Sequence, residues 1–159
     1  MLDGRKGENG LKGILKWPLI VAAIVVVLRV ITERAGAPAA VNSALSVVAL
    51  HTIIAPLYFA VKIGASGVPR PYGLLMKLIG IYAVLTRAMI LPVYWLARIF
   101  AWPEPRFFGL AGPDVSPFVG FVAVPFLTAA FWIVASLVFG GLIGSITLAI
   151  ARKARATTA

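Results

Sequence analysis

Cysteine is absent from this chain of 159 residues, and both charged residues and histidine are scarce. Without cysteine, the chain forms no disulfide framework, thiolate metal site or redox pair. Only five residues are acidic and one is a histidine, and no segment pairs two carboxylates. The chain also lacks a glycine-rich phosphate loop, His-Glu-x-x-His and Gly-x-Ser-x-Gly. We therefore expect no catalytic residue, no metal site and no cofactor, and we expect that the protein is not an enzyme.

Apolar residues dominate the rest of the sequence. They make up 61% of it, the charged residues only 13%, and the mean hydropathy is +0.99. A soluble domain has about 45 to 50% apolar and about 25% charged residues. A soluble fold of this length buries at most roughly 70% of its unfolded surface, so it would expose large apolar patches. The composition favours a membrane protein and excludes a disordered chain, a collagen and a coiled coil.

Four apolar runs are long enough to cross a bilayer, which takes about 20 residues of helix. They cover residues 15–32, 38–63, 73–100 and 117–150 approximately. A polar segment, 1–14, precedes them, and a basic tail, 151–159, follows. The sequence therefore predicts an all-α integral membrane protein, a four-transmembrane-helix bundle that forms a single membrane domain over residues 1–159.

Glycine and proline predict where these helices begin and bend. The four glycines in the polar segment argue against a regular helix before about Leu11. Pro56 predicts a kink near Thr52, and the long fourth run must tilt, bend near Pro125 or extend into water. A longer connection, 101–116, is rich in proline and aromatic residues. We expect it to be an extracytoplasmic loop on the membrane surface.

The first run also resembles a secretory signal, because basic residues precede it and Ala35, Gly36 and Ala37 follow it. Arg29 interrupts the apolar stretch, and Pro38 follows the small residues, where cleavage does not generally tolerate proline. We therefore expect this run to be retained as a membrane helix.

The distribution of cations predicts the orientation. Ten lie at the ends of the runs on one side: Arg5, Lys6, Lys12, Lys16, Lys62, Arg70, Lys77, Arg152, Lys153 and Arg155. Four lie on the other side: Arg29, Arg34, Arg98 and Arg106. The positive-inside rule then puts both termini in the cytoplasm. Because the cations flank apolar runs, we expect membrane lipids as partners and no nucleic acid. The composition, rich in alanine, valine, glycine and arginine, favours a multi-pass protein of the bacterial cytoplasmic (inner) membrane.

Arg87 is the most informative candidate site residue, because it lies mid-way along the third run. A central arginine costs at least about 2.5 to 3.5 kcal/mol and usually pairs with a group in a bundle or a wet cavity. Tyr94 and Arg98 lie on the same helical face, and His51 lies at nearly the same depth. The alternative is that Arg87 extends along a tilted helix to the interface, and that His51 is hydrogen-bonded without a further role.

Small residues recur at intervals of four on the fourth run, at Ser136, Gly140 and Gly144. Such a ladder lets helix backbones approach closely. It fits packing within the chain as well as an interface between subunits, whether by self-association or with other membrane subunits.

Two functions remain. The first is a non-catalytic accessory or assembly subunit of a larger membrane complex, in which Arg87 meets an acid of another chain. The second is a small homo-oligomeric carrier or channel, for anions, with Arg87 and His51 at the bilayer midplane. A lipid-modifying enzyme is the weakest candidate, because no acid accompanies the histidine.

Overall fold

The computed structural model describes residues 3–108, 112 and 114–158, with the backbone alone for 3–12, 105 and 158. These residues are 86% helical and include no strand. Four helices are long and apolar enough to cross a membrane, and we call them spans one to four: Gly13–Arg34, Ala39–Ser66, Pro71–Ile99 and Val119–Thr157. The predicted all-α class and the four membrane-length helices are confirmed.

Span one belongs to a longer helix, Asp3–Arg34. The expectation of an irregular segment before about Leu11 is therefore wrong for the described residues, and Met1 and Leu2 lie outside them. Each glycine costs about 1 kcal/mol relative to alanine. A helix that has nucleated in the apolar run adds one hydrogen bond per further residue, however, so it extends across isolated glycines.

Span two is not one regular helix. It comprises Ala39–Ala44, Val47–Ala49, a π turn at Leu50–Ile54, and Ala55–Ser66. The side chain of Ser46 accepts a hydrogen bond from the Ala49 amide at 3.2 Å, which caps the restarted helix. The π turn lies where Pro56, which has no N–H to donate, predicts a kink.

Span three is continuous over Pro71–Ile99 although it contains Pro92. Span four holds two π turns, Val119–Ala123 and Ser136–Gly140, which precede the helices Val124–Ala135 and Gly141–Thr158. Pro125 is the second residue after the first π turn and lies in the first turn of the helix Val124–Ala135. The last helix extends into the basic tail, beyond the predicted end of the run at residue 150.

The second half of span two packs closely against the end of span four. Gly64 lies so close to Ala151 that a Cβ on the glycine would come within 2.8 Å of the alanine Cβ. Spans two, three and four enclose the fully buried core residues Phe59, Leu78 and Leu148. Large apolar side chains elsewhere are exposed on the outside of the bundle, which suits contact with lipid.

The connection after span three is attached to the end of span one by two ion pairs. Arg34 Nη1 lies 2.8 Å from Glu104 Oε1, and Arg106 pairs with Glu33. Among its described residues, the connection forms one helical turn, the 3-10 turn Pro105–Phe107. These contacts place Arg106 over the ends of the spans, next to the cavity described below.

Candidate functional site

The only histidine of the chain meets the central arginine of span three inside the bundle. Nη2 of Arg87 contacts Nε2 of His51, and Nδ1 of His51 lies 2.5 Å from Oγ of Ser136. The Ser136 hydroxyl donates to the carbonyl of Trp132 at 2.6 Å. His51 and Ser136 are fully buried and Arg87 is 6% exposed. Spans two, three and four thus share one buried chain of hydrogen bonds.

This chain of hydrogen bonds has one consistent direction. A guanidinium only donates, so Nε2 of His51 accepts and the proton of the neutral ring lies on Nδ1. His51 then donates to Ser136, whose hydroxyl donates to the Trp132 carbonyl. In this tautomer His51 has no lone pair facing Ser136, so the two do not form a nucleophile with its general base.

Two π turns bring His51 and Ser136 together. His51 lies in Leu50–Ile54 and Ser136 begins Ser136–Gly140. A Cβ on Gly140 would lie 2.8 Å from Cγ of Pro56 and 3.4 Å from the carbonyl oxygens of His51 and Thr52. The missing side chain therefore allows the two turns to touch, beside carbonyls in the irregular part of span two.

The small-residue ladder lies inside the bundle. Ser136 is bonded to His51, and Gly140 packs against Pro56. A Cβ on Gly144 would come within 3.2 Å of the Leu75 side chain. The structure thus uses these three residues for packing within the chain.

Arg87 also contacts an aromatic ring. Its Cζ lies 5.4 Å from the ring centroid of Trp132, and His51 meets the same ring edge-on at 6.1 Å. Such a cation–π contact contributes about 2 kcal/mol when it is desolvated. No carboxylate forms an ion pair with Arg87, and its Nε has no hydrogen-bond partner, among the residues that the structure describes. The guanidinium is held by neutral groups and keeps its charge uncompensated.

A cavity of about 280 Å³ begins at Arg87 and extends towards the connection after span three. Arg29, Arg106 and Tyr94 line it together with Arg87 and Trp132, and apolar side chains of spans one, two and three complete the wall. The residues of span three that line the cavity run from Arg87 to Tyr94, which corresponds to about 10 Å along the helix.

The two other arginines of the cavity are positioned by irregular backbone. Nη1 of Arg29 donates to the carbonyl of Leu45 at 3.3 Å, at the break in span two. Arg106 pairs with Glu33 and lies 4.8 Å from the ring centroid of Phe107. Burial lowers the pKa of Arg106, the Arg29 guanidinium lowers it further, and Glu33 raises it. The two guanidinium groups therefore repel each other across the cavity.

Charge in this cavity is unbalanced. Three guanidinium groups line it, and within the described part of the chain Glu33 is the one carboxylate that pairs with any of them. Guanidinium groups present several N–H donors in a fixed geometry that suits carboxylate and phosphate. The arrangement can bind an anion. No cluster of three potential metal ligands occurs within the described part of the chain.

The structure brings together some of the residues that the sequence singles out. Arg87 and Tyr94 line the cavity and His51 lies directly behind Arg87. Arg98 does not line it; it donates to the Gly112 carbonyl at 3.2 Å. Sequence reasoning counted Arg29 and Arg106 only as flanking charges. The one available signal was that Arg29 interrupts an apolar run. No protein-family model, no curated protein and no solved structure matches the chain.

Proposed function

We propose that the protein is a small, non-catalytic membrane carrier that binds an anion in this cavity, with both termini in the cytoplasm. The observation that supports this function best is the set of three guanidinium groups with one paired carboxylate. Like charges repel strongly where water is scarce. A bound anion offsets this repulsion and accepts hydrogen bonds from Nε of Arg29 and Nε of Arg87, which have no partner among the residues that the structure describes.

The charge of the cavity indicates the charge of the ligand. Arg29, Arg87 and Arg106 contribute three positive charges, and Glu33 neutralises one of them. Two positive charges remain, so a dianion such as a phosphate monoester or sulfate balances the cavity better than a monoanion. Tyr94 adds a hydroxyl to the same wall.

The depth of the cavity supports carriage rather than binding at the surface alone. It connects Arg106, in the connection outside the spans, with Arg87, which lies near the middle of span three. An anion that moves along it therefore reaches the centre of the bundle. His51 and Ser136 hold the Arg87 side chain there.

A second candidate is the accessory subunit of a membrane complex. The same uncompensated charge on Arg87 favours it, because a carboxylate from another subunit would balance the cavity as an anion does. Arg87 already has two partners within its own chain, His51 and Trp132. Binding of an anionic ligand is therefore the function that we prefer.

Titration of the purified protein in nanodiscs with sulfate and inorganic phosphate, followed by calorimetry, tests this proposal. A hydrogen bond to a charged group contributes about 1.5 to 3 kcal/mol, so Arg87→Gln and Arg29→Gln should each weaken binding at least about tenfold. Arg98→Gln is the matched control, because Arg98 lies on the same helix and outside the cavity; its affinity should stay within about twofold.

Two results would contradict the carrier. If the wild-type protein binds neither anion, or if all three variants bind equally well, the cavity is not the binding site. Co-purification of another membrane subunit at fixed stoichiometry, with anion binding absent, would favour the accessory function. Uptake of labelled sulfate into liposomes then separates a carrier from a protein that only binds.

A further inference from the structure

A second cavity lies along the same boundary between spans one and two. It is an apolar groove of about 200 Å³ whose lining includes Trp17, Val21, Leu50, Ile54 and Tyr82. The Tyr82 hydroxyl is directed to the carbonyl of Pro18, at 3.4 Å. The groove therefore offers apolar side chains and ring faces to whatever occupies it.

The groove follows the anion cavity along the two helices. Val26 of span one and Val47 of span two line the anion cavity, and Val21 and Leu50 line the groove. Leu50 is three residues after Val47, which corresponds to about 4.5 Å along a helix. Val21 is five residues before Val26, about 7.5 Å. One boundary thus carries a cationic cavity at one end and an apolar groove at the other.

The groove is open to the bilayer. Trp17, Val21 and Ile54 are 63%, 45% and 53% exposed, and all three lie in membrane-length helices. A molecule can enter this groove sideways from the lipid phase, without passing through water. A free inorganic anion has no apolar part that could occupy this groove.

We propose that the ligand is a lipid with a terminal phosphate, whose phosphate lies in the anion cavity and whose acyl chain lies in the groove. This inference rests on the proposed function and specifies its ligand. A terminal phosphate carries about 1.5 to 2 negative charges at neutral pH, which matches the two uncompensated guanidinium groups. A phosphodiester headgroup carries less charge and fits this balance less well.

The groove contributes selectivity and orientation. An acyl chain that leaves the bilayer exchanges one apolar medium for another, so burial in the groove supplies little hydrophobic free energy. The arginines therefore supply the binding energy, and the groove decides which molecules bring a phosphate to them in the correct orientation. A bulky side chain in the groove should exclude the lipid without affecting a headgroup that has no chain.

Native mass spectrometry of the full chain, released from nanodiscs, tests this inference. The nanodiscs contain dipalmitoyl phosphatidic acid and dipalmitoyl phosphatidylcholine, and glycerol 3-phosphate serves as the headgroup without chains. Val21→Trp fills the groove, and Val27→Trp is the matched control, since Val27 is 56% exposed on the same helix and lines neither cavity. Thermal melting confirms that both variants fold.

We expect the wild type and Val27→Trp to retain phosphatidic acid at least tenfold more than phosphatidylcholine, because one hydrogen bond to a charged group changes an affinity by about tenfold. Val21→Trp should lose this preference and still bind glycerol 3-phosphate like the wild type. If Val21→Trp retains phosphatidic acid as Val27→Trp does, the lipid inference is wrong, although the anion site stands. If glycerol 3-phosphate and phosphatidic acid both fail to bind, the lipid inference and the proposed function are both wrong.

Discussion

Replacement of His51 should destabilise the bundle far more when Arg87 is present than when it is absent. His51 and Arg87 are 0% and 6% exposed, so water cannot replace a lost partner. His51→Leu leaves a buried guanidinium without its acceptor, which costs about 3 kcal/mol. Arg87→Leu removes the charge and leaves one ring nitrogen unsatisfied, which costs about 1 kcal/mol.

The double variant His51→Leu/Arg87→Leu removes both polar partners. Replacement of a buried pair by apolar side chains of similar size is often neutral, so we expect a total cost near 1 kcal/mol, where the single variants add up to about 4 kcal/mol or more. The free energy of coupling is then about 3 kcal/mol. Unfolding by sodium dodecyl sulfate in mixed micelles, followed by circular dichroism, measures all four proteins.

The control is the pair His51→Leu/Arg98→Leu. Arg98 lies 11 residues after Arg87, about 16 Å further along the helix, so these two changes should add within about 0.5 kcal/mol. A coupling free energy below 0.5 kcal/mol for His51 and Arg87 would refute a hydrogen-bonded pair in the interior.

Two further predictions concern packing and orientation. Gly140→Ala should lower the free energy of unfolding by about 1 to 3 kcal/mol, because its Cβ would meet the rigid ring of Pro56. The control is Gly73→Ala, whose Cβ meets nothing within 4 Å and which should stabilise the protein by up to about 1 kcal/mol. Equal effects of the two changes in the same micelle unfolding assay would contradict the close approach of Gly140 to Pro56. Since the chain has no cysteine, an impermeant maleimide should label Asp114→Cys in intact cells and Lys153→Cys only after permeabilisation; the reverse pattern would show that the termini lie outside.

Hydropathy predicted the class of fold because membrane-length apolar runs have few alternatives. It located the membrane-length part of each helix to within a few residues, except at the C-terminal end, where the helix continues to Thr158 in the basic tail. It also missed the extension of the first helix back to Asp3. Polar residues end an apolar run, but near an interface they do not end a helix. The break at Leu45 was not predicted, because a serine inside an apolar run is compatible with a helix as well as with a cap.

The candidate site was predicted in part. Counting residues along each run predicted that Arg87 and His51 lie at nearly the same depth in the membrane. Arg98 shares the helical face of Arg87 and Tyr94, but it lies a turn closer to the end of the helix, where it contacts Gly112 and Phe108 of the connection, outside the cavity. Counting residues does not predict these contacts. Arg106 was beyond prediction for another reason: its position depends on how the connection folds back over span one.

The way in which Arg87 is held connects the stability of the bundle with its proposed function. A carboxylate beside Arg87 would stabilise the buried charge most directly, but it would also cancel the attraction for an anion. The chain instead uses three groups without negative charge. A neutral histidine accepts a hydrogen bond from the guanidinium, a serine orients the histidine, and a tryptophan ring contacts the guanidinium. These groups offset part of the cost of burial and leave the net charge available. An acid introduced at Tyr94 should therefore stabilise the bundle and abolish anion binding together, whereas a purely structural arginine would gain stability and have no binding to lose.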